Sequence, residues 1–498
     1  MTETAAASMV SYMIRKKLHW RLLALASILL SLSLTGWTTL AAEKPAPKKN
    51  ILFIAVDDLR AQLGCYGDTE ILSPNIDKLA ARGVRFDRAY CNVPRCGASR
   101  ASVIAGVRSP ADIWNCYEIP LSYVTLPAWM SKHGYRSISN GKVLHYIKDR
   151  RHDWDELWRS AEVYYGKEDW GKYNTYGIWQ NHDSAGHVNP DSLRGPYCES
   201  ADVPDEAYQD GKVAAKTIDD LRRLKRTGEP FFLACGFWRP HLPFNAPKKY
   251  WDLYDRDKIK LADNYYPPRG NPAQNVSAEE FARYGRTAGD VKVTKAFQAE
   301  ARHAYYACVS YIDAQIGKVI DALAELGLAD DTIIVLWSDH GFLLGEHSFW
   351  GKQNTLHESL RVPLIIAGPG LPQGAQTKAL VELVDLYPTL CDLTDLPHPE
   401  HLHGKSLAPI LKDPQSAGRP AAFSRFSGCE AVKTDRYLYT EWTDEEVRIT
   451  PMLFDHLKDP DENENIANHP ESATIVESLS LMIKKELLRT GKIDIRKF

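Results

Sequence analysis

Short, uninterrupted apolar runs recur along the chain and alternate with segments in which apolar residues follow helical spacing. Such runs are typical of strands buried on both faces of a sheet, and they lie at residues 51–56, 135–139, 231–237 and 332–337. Between them, one helical pattern begins at Ser73-Pro74, where proline suits a first turn, and a long one covers 297–326. This alternation predicts an α/β fold, a large and mainly parallel sheet sandwiched by helices.

The pattern changes beyond about Pro409. Short alternating stretches such as residues 436–440 precede a polar segment and then a helical pattern over 472–488. These features predict a small antiparallel sheet closed by a terminal helix. We therefore expect a large catalytic α/β domain at 43–410 and a smaller α+β subdomain at 411–498.

The N-terminal segment differs from the rest of the chain. A basic segment at residues 15–21 precedes an apolar run at 22–34, and small residues follow at 39–42. The apolar run is shorter than the roughly 20 residues that a membrane-spanning helix needs. We expect residues 1–42 to be a cleavable signal peptide of a secreted or periplasmic protein without a stable membrane span.

Composition excludes some partners and some kinds of site. The 61 basic and 64 acidic residues are interspersed and give a net charge of −3, so the sequence carries no electrostatic footprint for nucleic acid. The nine cysteines are an odd number, which leaves at least one without a disulfide partner. Their spacing matches no thiolate zinc site.

Polar side chains follow each of the four apolar runs. In chain order the groups are Asp57-Asp58, Lys142 with His145, Pro240-His241, and Asp339-His340. Because ligands bind at the carboxyl ends of strands in open parallel sheets, we expect these side chains to meet at one edge. Any single group could instead cap a helix or lie in a solvated loop, but all four together indicate a functional site.

The adjacent carboxylates of Asp57 and Asp58 predict a metal ion. At the end of a buried strand they repel each other unless a cation or basic side chains neutralise them. With Asp339 the site is rich in oxygen, which favours calcium or magnesium over a transition metal. The nitrogen of His340 is atypical of an all-oxygen calcium site, and helix capping by the aspartates is the alternative.

The segment C-G-A-S-R at residues 96–100 leads into a helical pattern. A cysteine at a helix N-terminus beside an arginine is typical of a reactive thiol. The alternative is a buried structural cysteine.

This segment resembles the formylglycine signature of sulfatases, Cys-x-Pro/Ala-x-Arg, with Ala98 in place of the commoner proline. Other stretches resemble sulfatase blocks in the same order, at residues 73–77, 240–244, 345–347, 384–389 and 453–455. Lys142-x-x-His145 and Asp339-His340 are most similar to the iduronate-2-sulfatase branch. The resemblance implies an alkaline-phosphatase-like fold and a sulfated carbohydrate substrate. It also implies a lysosomal location if the source is an animal.

The resemblance also implies the cofactors and the maturation partner. A formylglycine-generating enzyme would oxidise Cys96 to an aldehyde, and its hydrate would attack the sulfur of the ester. One Ca²⁺ would be surrounded by Asp57, Asp58, Asp339, His340 and the modified Cys96.

Further roles follow from the same resemblance. Arg100 and Lys142 would hold the hydrate and the sulfate oxygens. His241 and Lys352 would bind sulfate and protonate the leaving oxygen, and His145 would take the proton of the second hydroxyl.

The expected function is a secreted, exo-acting, iduronate-2-sulfatase-like enzyme on a sulfated glycan. Three alternatives stay open: an arylsulfatase, a phosphatase or phosphodiesterase of the same superfamily, and a catalytically silent glycan-binding homologue. Glu346, close to the expected metal loop, is expected to orient a ligand rather than to bind metal.

Overall fold

The computed structural model describes residue 13 and residues 48–108, 120–145, 149–160, 179–180, 195–270, 279–285, 294–442 and 450–490. Residues 48–498 form one compact unit. The predicted signal peptide lies outside the described residues, and the division at residue 410 stays a prediction. Within the parts that the structure describes, no helix is both long and apolar enough to cross a bilayer.

The main sheet has eight strands. In chain order they are β1 (Asn50–Val56), β2 (Gly83–Tyr90), β3 (Arg136–Gly141), β4 (Glu156–Trp158), β5 (Phe231–Phe237), β6 (Thr332–Ser338), β7 (Arg361–Ala367) and β8 (Ala375–Glu382). Their order across the sheet is β8-β2-β7-β6-β1-β5-β3-β4. Only β7 runs antiparallel to its neighbours, β2 and β6, so the predicted mainly parallel sheet is confirmed.

Eleven α-helices lie in the described residues, and several of them cover the two faces of this sheet. They are α1 (Pro74–Ala81), α2 (Cys96–Ala105), α3 (Leu126–Lys132), α4 (Gln209–Thr227), α5 (Lys248–Trp251), α6 (Glu279–Ala282), α7 (Lys295–Glu325), α8 (His357–Leu360), α9 (Leu386–Leu393), α10 (Ala408–Lys412) and α11 (Ala473–Arg489). Successive residues of β1 alternate between two hydrophobic clusters, as strand geometry requires. Leu52 and Ile54 pack on the side of α4 and α7, whereas Ile51 and Phe53 pack on the side of α2 and α9.

A small antiparallel sheet follows the main one along the chain. Its strands are β9 (Ala422–Phe426), β10 (Cys429–Lys433), β11 (Tyr437–Trp442) and β12 (Met452–Asp455). Helix α11 closes it through a separate hydrophobic cluster that includes Val432, Leu453 and Ile483. The predicted C-terminal sheet and helix are therefore confirmed.

Two further pairs of short strands flank the main sheet. Cys198–Ala201 and Phe244–Pro247 pair in parallel, and Leu343–Leu344 pairs antiparallel with Trp350–Gly351. All eight cysteines in the described ranges are free thiols.

Candidate active site

The acidic residues of the site follow directly after two neighbouring parallel strands. Asp57 and Asp58 follow β1, and Asp339 and His340 follow β6, with Val56 and Ser338 paired in register. All four side chains are fully buried. The strand ends therefore deliver the predicted acidic cluster to one edge of the sheet.

Asp58 has a left-handed backbone conformation, with φ of 60°. A non-glycine residue there is strained by about 1–3 kcal/mol unless its surroundings hold it. Its amide donates to Asp339 Oδ1 at 3.3 Å, and its carbonyl accepts the hydroxyl of Tyr305 at 2.7 Å. These bonds hold the Asp58 carboxylate towards the cluster instead of along the strand.

Cys96 is the first residue of helix α2, after Arg95 in extended conformation. Its Sγ lies 3.2 Å from His340 Nε2. Burial raises the pKa of the thiol well above its usual range, and the Asp57 carboxylate adds to the rise. Desolvation therefore outweighs the helix N-terminus and the neighbouring cations in the free thiol, and the reactivity expected of Cys96 stays a prediction.

Arg100, one turn further along α2, is fully buried and held on several sides. Its Nε donates to Asp339 Oδ2 at 2.7 Å, and Nη1 donates to the carbonyls of Lys142 and Val143. Although burial opposes its charge, the carboxylates of Asp339 and Asp57 raise the pKa of Arg100 above its usual range. The guanidinium is thus a fixed, permanent positive charge in the floor of the site.

Lys142 enters the site at the end of β3 because of the glycine before it. Gly141 has φ of 71°, and a Cβ there would collide with the carbonyl oxygen of Gly236 on β5. The Lys142 amide donates to that same carbonyl at 2.7 Å, and its Nζ contacts Asp57 Oδ2. The close approach of β3 and β5 therefore delivers the ammonium to the cluster.

The less buried side of the site is formed by Lys352, His241 and Glu280. Lys352 Nζ donates to Asp58 Oδ2 and Glu280 Oε2, both at 2.9 Å. His241 Nε2 lies 3.3 Å from Glu280 Oε1, and its Nδ1 donates to the Leu242 carbonyl at 2.6 Å. The side chains of His241 and Glu280 are 18% and 21% exposed, so this side faces the opening.

Sequence reasoning missed Glu280. It lies in the short helix α6, and neither a motif nor an apolar run comes directly before it in the sequence. Only the fold brings it to both Lys352 and His241.

His145 is half-buried and lies three residues after Lys142 in the chain. Burial lowers its pKa well below the usual range, and the Lys142 ammonium lowers it further. The imidazole is therefore neutral at pH 7, the form that can accept a proton.

Four side chains are close enough to share a metal ion. One ligand atom from each of Asp57, Asp58, Cys96 and His340 lies within 4.8 Å of the others. His340 Nδ1 donates to the Gly341 carbonyl at 2.9 Å, which leaves Nε2 directed at the cluster. The carboxylate of Asp339 lies beside this group and forms an ion pair with Arg100. The role of Asp339 as a metal ligand therefore stays a prediction.

Acidic side chains outnumber basic side chains in the site. Four carboxylates and three cations form two sets of ion pairs: Arg100 and Lys142 with Asp57 and Asp339, and Lys352 with Asp58 and Glu280. Burial raises the pKa of Asp58 well above its usual range in spite of the Lys352 ammonium. With all four carboxylates ionised the net charge of the seven groups is −1, and a dication would turn it into +1 and favour the ionised form of Asp58.

Glu346 lies apart from the metal cluster and forms ion pairs with two arginines. Its Oε1 accepts from Arg60 and Arg302 at 2.9 Å each, and its Oε2 accepts the Leu344 amide at 2.6 Å. Burial alone would raise its pKa, but the two guanidinium groups dominate and lower it to about 2.

We expect Glu346→Gln to lower the free energy of unfolding by about 3 kcal/mol at pH 7, because the carboxylate is stabilised relative to the unfolded chain. A depressed carboxyl pKa stabilises the fold above the unfolded value near 4.5 and loses that effect as pH falls towards 2. Chemical denaturation at pH 7 and at pH 3 checks this. The gap between variant and wild type should shrink at pH 3, and a gap independent of pH would contradict the assignment.

Comparison with known proteins agrees with this geometry. The pattern of the family described as Sulfatase matches residues 49–396. The chain belongs to the sulfatase family. A second pattern, described as N-sulphoglucosamine sulphohydrolase, C-terminal, matches residues 345–489.

Sulfatases are also the relatives found by sequence. A sulfatase of Formosa agariphila is 31% identical over 477 residues, covering 89% of this chain and 88% of that protein. Iduronate 2-sulfatase of Mus musculus is 33% identical over 427 residues, covering 76% of this chain and 75% of that protein. The chain is therefore a sulfuric ester hydrolase.

The fold is shared more widely than the sequence. The structure of a phosphonate monoester hydrolase from Silicibacter pomeroyi superposes with a TM-score of 0.73 at 24% identity, covering 89% of this chain and 96% of that one. The predicted α/β fold, a mainly parallel sheet sandwiched by helices, is therefore shared with that hydrolase.

Proposed function

We propose that this sulfatase removes the 2-sulfate from a terminal uronate of a sulfated glycan, with a formylglycine at residue 96 and one Ca²⁺. The observation that carries the proposal is the convergence of Cys96, Arg100 and Lys142 on the Asp57-Asp58 cluster. The similarity to iduronate 2-sulfatase supports the uronate 2-sulfate as substrate.

The residues present fit a calcium ion once residue 96 carries oxygen. As a thiol, Cys96 would give the cluster a softer ligand set, whereas a formylglycine hydrate makes it three oxygen donors and one nitrogen. Asp57 Oδ1 is buried and accepts no hydrogen bond within the described residues, so it keeps a lone pair for a metal. Asp57, Asp58, His340 and residue 96 would hold the ion, with Asp339 as a further ligand.

In this proposal, formylglycine would supply the nucleophilic oxygen, and Ca²⁺ would supply positive charge that offsets the negative charge of the sulfuryl group. Arg100 and Lys142 then bind the sulfate oxygens from fixed positions, because Asp339 and Asp57 hold them before substrate arrives. The rigid floor orients the ester without reorganisation.

The leaving oxygen is directed to the more exposed wall. Although burial opposes the charge of Lys352, the carboxylates of Asp58 and Glu280 together raise its pKa well above the usual range, so the ammonium is permanent. Burial lowers the pKa of His241 well below its usual range, and the Lys352 ammonium lowers it further, whereas Glu280 opposes this by facing Nε2. We propose that the negative charge of the bound sulfate ester favours protonation of Nε2, which then donates that proton to the sugar oxygen. On the other side, neutral His145 accepts the proton that must leave residue 96 before sulfate is released.

The secreted or periplasmic location is part of the same proposal. It rests on the basic, apolar and small-residue segments at 15–42.

Sulfate release from defined disaccharides tests the substrate. Protein produced with a formylglycine-generating enzyme is given disaccharides with one sulfate each: uronate 2-sulfate, hexosamine 6-sulfate or glucosamine N-sulfate. We expect the uronate 2-sulfate to be preferred by at least about 100-fold in kcat/KM. Release from 4-nitrophenyl sulfate but from none of the disaccharides would favour an arylsulfatase instead.

His241→Gln should slow the enzyme in proportion to how much the leaving oxygen needs a proton. We expect kcat for a sugar sulfate to fall by about 10²–10⁴, but kcat for 4-nitrophenyl sulfate to fall by less than about tenfold, because nitrophenolate leaves without protonation. The exposed His469→Gln is the matched control. Equal losses on both substrates would assign His241 to binding or structure.

A further inference from the structure

A second, basic cleft of about 370 Å³ lies outside the catalytic cluster. Strands β2, β7 and β8 of the main sheet and β10 of the small sheet contribute to its walls. Among the described residues, none that lines it belongs to the catalytic set. The mechanism above therefore gives this cleft no function.

The lining charges are only partly neutralised within the protein. Five of the lining side chains are arginine or lysine, and two are aspartate. Asp87 pairs with Arg85 at 2.9 Å, and Asp435 pairs with Arg88 at 2.8 Å. The other three cations form no ion pair with any described residue: Arg361, Lys378 and Lys433. The cleft thus has an excess of positive charge.

Two of its polar groups are buried without the partners that such groups usually have. Lys433 is 4% exposed, and its Nζ donates to the Thr434 carbonyl at 2.7 Å but meets no carboxylate. Burial lowers the pKa of Lys433 to about 8. Tyr90 is 1% exposed, and its buried hydroxyl has no hydrogen-bond partner among the described residues. A buried ammonium and a buried hydroxyl donor facing one cleft are complementary to an anion.

We propose that this cleft binds a sulfate group of a sulfated polysaccharide at a position away from the ester that is cleaved. The proposal rests on the proposed function for its substrate class. Lys433, Lys378 and Arg361 supply the charge, and the Tyr90 hydroxyl donates to a sulfate oxygen.

A glycan fits the cleft better than a nucleic acid does. Asp87 and Asp435 lie among the cations, where their carboxylate oxygens can accept hydrogen bonds from sugar hydroxyls. The backbone of a DNA strand has no free hydroxyl along its length to donate such bonds.

Binding of a labelled heparin hexasaccharide, followed by fluorescence anisotropy, tests the proposal. All proteins carry Cys96→Ala, so the sugar is not cleaved and the result does not depend on formylglycine. We expect Lys378→Glu with Lys433→Gln to weaken binding by at least about tenfold, and Tyr90→Phe by about threefold. Lys412→Glu, which makes the charge change of Lys378→Glu at an exposed lysine outside the cleft, should stay within about twofold of the parent.

Each outcome decides the matter. Unchanged affinity for the hexasaccharide in the folded double variant would overturn the proposal. The proposal would also be overturned if the double variant lost as much affinity for single-stranded DNA of matched charge, because the cleft would then be a general polyanion surface. If the double variant does not fold, the exposed Lys378→Glu and the conservative Tyr90→Phe replace it. Failure of sulfate release by the unmutated enzyme would count against the proposed function and leave this binding result unaffected.

Discussion

Replacing Cys96 with alanine lowers kcat for any sulfate ester by at least about 10⁴-fold, because the variant cannot form the formylglycine nucleophile. Arg100, Lys142 and Lys352 remain in place in this variant, but they only bind and polarise the ester. Sulfate release under saturating substrate measures the loss. A residual rate within about tenfold of wild type would show that residue 96 is not the nucleophile.

The matched control is Cys91→Ala. Cys91 is also a fully buried thiol, whose pKa burial raises well above its usual range, and it lies on the same connection between β2 and α2. The substitution removes the same atom and leaves a comparable small gap. We expect its kcat to stay within about threefold of wild type, so that loss of packing is separated from loss of chemistry.

Asp58→Asn removes the response of the protein to calcium and lowers kcat by about 10²–10³. In the wild type, Ca²⁺ at about 100 times its dissociation constant should add about 2.7 kcal/mol to the free energy of unfolding, and a chelator should reverse this. The asparagine variant keeps the shape of the side chain but has one negative charge less for the ion. Thermal unfolding with and without Ca²⁺ measures the effect independently of activity.

Asp263→Asn serves as the control for this experiment, since Asp263 is exposed and distant in sequence from the cluster. It should keep the full calcium response. An equal response in wild type and Asp58→Asn would mean that the ion binds elsewhere.

The sequence predicted the framework of the sheet because the four central strands are buried on both faces. Residues 231–237 correspond to β5 without adjustment, and 51–56 and 332–337 differ from β1 and β6 by one residue each. The weaker run at 135–139 is displaced by one to two residues from β3 (Arg136–Gly141), where Gly141 ends the strand. Uninterrupted apolar runs have few alternative structures in a protein of this size.

The outer strands were not predicted from the pattern. Strand β2 carries Arg85, Asp87 and Arg88 between its apolar residues, and β8 carries Gln376 and Lys378. These side chains line the second cleft or contact solvent, so the apolar run is broken. The antiparallel direction of β7 was not predicted either, because it depends on how all the strands of the sheet pair.

The site was predictable to the extent that its residues follow strands or motifs. Cys96, Arg100, Lys142, His241, Lys352 and the acidic cluster do meet at one edge, because parallel strands end together. Glu280 was not predictable, since its position depends on the packing of a short helix far from any motif. The high pKa of the Cys96 thiol also required knowledge of burial.

The most direct test of the account is mass spectrometry of the peptide that contains Cys96, from protein produced with a formylglycine-generating enzyme. We expect an aldehyde at residue 96, about 18 Da lighter than cysteine, together with sulfate release that depends on Cys96. An unmodified cysteine, under conditions that convert a control sulfatase, with no turnover, would contradict it.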